Sequence, residues 1–81
     1  MESVIVTVRS EPGGFERDME LPSSISCKDL SQRLLETLKV LDYSAFGHKA
    51  ELELRSNGRL LDGRKSLDEL RIWDGSIITV R

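Results

Sequence analysis

The chain has 81 residues, which suits one domain near the lower size limit for a self-sufficient hydrophobic core and leaves no material for a second. Its 38% apolar and 32% charged residues read as a globular chain, and a net charge of −2 gives no general attraction for nucleic acid or anionic lipid. A single cysteine, Cys27, rules out an internal disulfide, so packing and hydrogen bonds must hold the fold, and a reducing cytosol is the expected setting.

Val4, Val6 and Val8 recur at period two with Ile5, Thr7 and Arg9 between them, the pattern of a half-buried first strand. Glu11-Pro12-Gly13-Gly14 follows and predicts a chain reversal, with a proline to set the turn and two glycines free to take positive φ. From Phe15 to Leu21 the alternation returns, placing Phe15, Met19 and Leu21 on one face and Glu16, Asp18 and Glu20 on the other. Arg17 falls on the apolar face, which predicts a side chain reaching to the rim of an edge strand.

Pro22 ends that strand, and Ser26 is placed to cap a helix with Asp29 three residues on. The helix is expected to run to about Leu41, with Leu30, Leu34, Leu38 and Leu41 forming one apolar stripe. Asp42 to Lys49 breaks the period and reads as a loop carrying Tyr43 and Phe46. Leu52 and Leu54 then alternate with Glu51, Glu53 and Arg55 in a third strand, Ser56-Asn57-Gly58 signals a tight turn, and Arg59-Leu60-Leu61 is a short return strand. Asp62-Gly63 turns the chain again, and Leu67 and Leu70 suit a single helical turn. After Trp73-Asp74-Gly75 comes a last strand, with Ile78 and Val80 facing one way and Ile77 and Thr79 the other. This order predicts an α+β domain over residues 1–81: a mixed sheet of four to five strands, one helix across one face, and the first and last strands parallel.

The stretch from Gly58 to Ile72, Gly-Arg-Leu-Leu-Asp-Gly-Arg-Lys-Ser-Leu-Asp-Glu-Leu-Arg-Ile, resembles the matching part of ubiquitin, and the elements around it come in the same order. The resemblance implies a ubiquitin-like β-grasp fold. The chain is also similar to the YukD/EsaB family of small bacterial ubiquitin-like proteins associated with type VII (ESX-like) secretion. Met19-Glu20-Leu21-Pro22 leading into Lys28-Asp29-Leu30, the Gly58-Arg59-Leu60-Leu61 series with the turn after it, and Asp74-Gly75-Ser76-Ile77-Ile78 carry that likeness. Ser76 departs from the family, where a second acidic residue is frequent. A conjugated ubiquitin has a flexible tail ending in Gly-Gly, whereas this sequence closes on Val80-Arg81, so we expect neither activation nor isopeptide transfer. The positions of ubiquitin's apolar recognition patch correspond here to Pro12-Gly13-Gly14, Glu53, Arg55 and Arg81, so ubiquitin receptors are not expected to bind.

The candidate chemistry is sparse. Cys27 at the start of the helix has two readings, a thiol activated by the helix dipole or a small residue buried beneath the sheet, and burial is the better expectation. His48 has no second ligand at metal spacing and reads as a solvated loop residue. No nucleophile has a recognisable partner base and no glycine pair forms a phosphate loop, so an enzyme, a cofactor and a metal are not expected. No run of about 18 apolar residues, signal peptide or lipidation motif is present, so neither membrane crossing nor insertion is expected.

What remains is surface. Ile5, Thr7, Thr79, Arg55 and Arg81 are expected on the outer sheet face, and Tyr43, Phe46 and Trp73 as caps over the ends of the core, with Trp73 kept as a candidate interface anchor. Binding is expected through that face or through the open edge of the second strand. The resemblance implies a protein partner, a cytosolic part of a type VII secretion machinery, and an adaptor that is neither catalytic nor conjugated. Two alternatives stay open: the ubiquitin-like N-terminal domain of a larger membrane secretion component or other multidomain protein, and a conjugatable modifier lacking its tail.

Overall fold

The computed structural model describes residues 2–11 and 13–81. Strands β1 (Ser3–Ser10) and β2 (Glu16–Pro22) form a hairpin, followed by helices α1 (Cys27–Leu41) and α2 (Tyr43–Phe46), a second hairpin of β3 (Leu54–Ser56) and β4 (Arg59–Leu60), and the last strand β5 (Ile77–Val80). The five strands lie in the order β2-β1-β5-β3-β4, with β1 and β5 parallel and the other pairs antiparallel. Parallel neighbours need a long crossover, and α1 is part of the one that connects β1 to β5.

The period-two reading of β1 and β5 holds. Val4, Val6 and Val8 are buried with Ile78 and Val80, and α1 covers them with Cys27, Leu30, Leu34, Leu35 and Leu38. Ser26 caps α1 by accepting the Asp29 N–H at 3.2 Å. The helix start is also met by backbone: Cys27 and Lys28 donate to the carbonyls of Lys65 and Gly63 at 2.8 and 3.0 Å. Orphan N–H groups at a helix N-terminus are thus satisfied by the 62–72 segment, which locks that segment beneath α1.

Four expectations need correcting. Leu41 is 40% exposed, while Leu35, outside the expected stripe, is buried. The azimuth of Leu41 is right, but it is the last residue of the helix, and beyond it the core is closed by Phe46. The 42–49 segment is not a plain loop: Asp42 caps the one-turn α2 by accepting the Ala45 N–H at 3.3 Å. Of the three aromatics expected as caps, only Phe46 is buried, packed edge-on against Phe15 at 5.5 Å, whereas Tyr43 and Trp73 are exposed. The third strand begins at Leu54 rather than Glu51; Glu53 still exchanges main-chain bonds with Arg81 at 3.1 and 3.0 Å, but Leu52 packs into the core without a strand partner.

The turns follow local chemistry. Asn57 and Gly58 take φ of 53° and 76°, the paired positive values of a tight two-residue hairpin, and Gly13 and Gly14 take 131° and 99°. Pro12, which the sequence assigns to the first turn, lies outside the described residues. Arg17 stays exposed on the edge strand with its guanidinium 5.9 Å from the centre of the Phe15 ring. The Leu67–Leu70 turn is held by a capping box the sequence reading missed: Ser66 N–H donates to Glu69 Oε1 at 2.9 Å, and Glu69 N–H to Ser66 Oγ at 3.2 Å.

Ser23 is buried with its backbone bonded, its N–H donating to the Glu2 carbonyl and its carbonyl accepting from Asp68 N–H, but its hydroxyl has no partner among the described residues. A buried hydroxyl without a partner carries an uncompensated desolvation cost. Ser23→Ala is therefore expected to hold or raise stability by up to about 1 kcal/mol in urea unfolding; a clear loss would show that the hydroxyl is bonded in solution.

Candidate functional site

The outer face of the sheet, opposite α1, is built by strand parity. Register pairs Thr7 with Asp18 and Ile77, and aligns Glu16, Arg9, Thr79, Arg55 and Leu60 in one row across all five strands. All five outer-face residues expected from the sequence lie on this face, but they do not form one cluster. Arg55 is tied to Glu53 at 2.7 Å and Arg81 lies 3.8 Å from Glu11, so both guanidinium groups face carboxylates of the same chain.

The same face also exposes apolar side chains, Leu60 on β4 and two isoleucines along the β1–β5 seam. Ile5 is 52% exposed and Ile77 42%. The turn before β5 is latched onto this seam: Ile5 N–H donates to Asp74 Oδ1 at 2.8 Å, Gly75 N–H to the Ile5 carbonyl at 2.9 Å, and Thr7 N–H to the Ser76 carbonyl at 2.9 Å. Trp73, 64% exposed, closes the same turn by donating its N–H to Ser76 Oγ at 3.2 Å. Gly75 needs its glycine here, because its φ is 87°. The latch holds the backbone of the Trp73 turn against the part of β1 that carries Ile5. Ile77 and Asp74 were missed as site residues, although the alternation that exposed Thr79 also exposes Ile77.

Exposed isoleucines on a sheet face, with polar residues around them, make a surface suited to binding another protein. A groove of about 750 Å³ runs between α1 and the β3–β4 hairpin, floored by Leu35, Leu52 and Leu54. Its rim mixes Lys28, Arg64 and Arg81 with Glu51 and Glu53, so it presents no single sign of charge to a ligand. Among the described residues no group of three His, Cys, Asp or Glu side chains could hold a metal ion. No helix among the described residues is long and apolar enough to cross a membrane. His48 is exposed.

Cys27 is buried, and burial, followed by the negative charges of Asp62 and Glu69, pushes its thiol above the ordinary value. The dipole-activated reading is overturned, because the first N–H groups of α1 already serve carbonyls and the thiolate would be desolvated. A raised folded-state pKa adds stability that is complete below the unfolded value and is lost as pH rises through the folded one. Native protein at pH 8 should therefore react with a thiol reagent only through opening, and its stability should fall above about pH 8.5. Rapid labelling of the native protein, or the same alkaline fall in Cys27→Ala, would contradict this.

The five-stranded β-grasp sheet with a long helix across one face defines a ubiquitin-like protein. Residues 3–80 match the family described as "WXG100 protein secretion system (Wss), protein YukD", and the chain belongs to that family. The fold is also that of the ubiquitin-like domain of the Mycobacterium tuberculosis type VII secretion system protein EccD1, with 20% identity, 99% of this chain and 98% of that one covered, and a TM-score of 0.75. The EccD5 ubiquitin-like domain from Mycobacterium xenopi is similar at 15% identity, 100% and 94% coverage and a TM-score of 0.80. Caldiarchaeum subterraneum ubiquitin gives 14% identity, 98% and 91% coverage and a TM-score of 0.68. No curated protein matches the sequence.

Proposed function

We propose that this protein is a non-catalytic, non-conjugated adaptor of a type VII (ESX-like) secretion system, working in the cytosol by docking to a cytosolic part of that machinery. The family match over residues 3–80 carries the reading. The outer sheet face is the docking surface, centred on Ile5, Trp73 and Ile77, with Thr7, Thr79, Arg55 and Arg81 around them. Apolar centres of this kind supply binding energy while the surrounding polar residues set orientation.

A second reading is the ubiquitin-like domain of a larger secretion component. The similarity to the EccD1 and EccD5 domains, nearly all of whose lengths are covered, favours it. Fractionating source cells and probing with an antibody against this chain separates the two. A single cytosolic species near 9.2 kDa is the expected result. One large membrane-bound species would establish the domain reading instead, and a ladder of heavier conjugates would show a modifier.

A further inference from the structure

β2 is an edge strand that pairs with β1 at seven consecutive positions without a bulge. The phase of that ladder shows which of its backbone groups are free. Ser10 N–H donates to the Phe15 carbonyl and Ser23 N–H to the Glu2 carbonyl, so even positions of β1 bond odd positions of β2. On the other side of β1, the bonds from Ile5 and Thr7 run toward Asp74 and Ser76, as the same alternation requires. The N–H and C=O groups of Glu16, Asp18 and Glu20 therefore point out over the open edge. Pro22, with no N–H, ends the row.

The same three residues carry the charge. Their carboxylates are exposed on the outer face at every second position. Glu16 is paired with Arg9 at 2.8 Å, while Asp18 and Glu20 are held only by the hydroxyls of Thr7 and Ser3 at 2.7 and 2.6 Å. On the other face of β2, Phe15 and Met19 are only partly buried against the core. A strand laid along this edge would set its outward side chains opposite carboxylates and its inward ones beside Phe15 and Met19. A second copy of β2 is disfavoured, because antiparallel pairing about Asp18 puts Asp18 against itself and Glu16 against Glu20.

We propose that the β2 edge is a strand-addition site for an extended partner segment in which lysine or arginine alternates with apolar residues. The unpaired backbone supplies main-chain bonds, the carboxylate row selects basic side chains, and the half-covered Phe15 and Met19 accept the apolar ones. The site adjoins the Ile5–Ile77 seam on the outer face but uses a different feature, the free backbone edge of β2, and it stands whether or not the secretion reading does.

The test is amide hydrogen exchange, read by NMR on the full 81-residue chain, with a synthetic heptapeptide alternating lysine and valine. Exchange at Glu16, Asp18 and Glu20 should slow about tenfold or more. The effect should vanish at about 0.5 M salt, and the same peptide with glutamate in place of lysine should have no effect. In Asp18→Lys/Glu20→Lys the preference should switch to the glutamate peptide. If that variant loses its folded spectrum, Asp18→Asn/Glu20→Gln, which keeps acceptors for both hydroxyls, should lose much of the response to the lysine peptide. Equal response to both peptides, no response at millimolar peptide, or effects confined to Ile5, Thr7 and Ile77 would overturn the proposal.

Discussion

Leu38→Ala is expected to destabilise the protein by about 2–5 kcal/mol, the range for removing a buried leucine and leaving a cavity. Leu38 has no exposed surface and sits on the buried face of α1, so the lost methyl groups have no neighbour free to collapse inward. Domains of this size hold on the order of 0.05–0.15 kcal/mol per residue in total, so the loss removes a large part of the whole. The thermal midpoint should fall by roughly 10–25 °C. Val40, two residues on and 85% exposed, is the control, and Val40→Ala should stay within about 0.5 kcal/mol. Equal effects at the two positions would mean that α1 does not pack in this orientation.

Ile5→Asp with Ile77→Asp should weaken capture of the proposed partner by about a hundredfold or more, the scale of losing a central apolar anchor and burying charge in its place. Both side chains are on the outer face and about half exposed, so the thermal midpoint should move little. Arg55→Glu with Arg81→Glu should also abolish capture, through charge reversal at the border of the same face. Arg55 gives up its 2.7 Å pair with Glu53 in that variant, but an exposed or half-exposed pair is worth only about 0–1 kcal/mol, so folding should be retained. A pull-down from source lysate, with circular dichroism on each variant, reads both effects. Capture unaffected by either pair of changes would remove the outer face from the mechanism.

Much of this architecture can be read directly from residue order, because it is local. Period-two valines, the Ser26 cap, the Asn57-Gly58 turn and the period of Leu30, Leu34 and Leu38 each specify their own element through contacts a few residues apart. The resemblance of the Gly58–Ile72 stretch, with the order of elements, was enough to indicate the ubiquitin-like fold and the YukD/EsaB family. Strand alternation also placed Ile5, Thr7, Arg55, Thr79 and Arg81 on one face.

What sequence could not supply is what depends on distant segments meeting. Leu41 is exposed because Phe46 closes the core beyond it, Leu35 is buried on the side of Leu52 and Leu54, and helical period is blind to both boundaries. The Trp73 turn is held against β1 because Asp74 and Gly75 bond to Ile5, a contact spanning nearly the whole chain. Cys27 is a protected thiol because distant segments bury it and bring the negative charges of Asp62 and Glu69 near it. The open edge of β2 was expected from residue order, but which of its backbone groups are free emerged only from the ladder's phase, since alternation tells which side chains share a face, while tertiary pairing decides which N–H and C=O groups are left over.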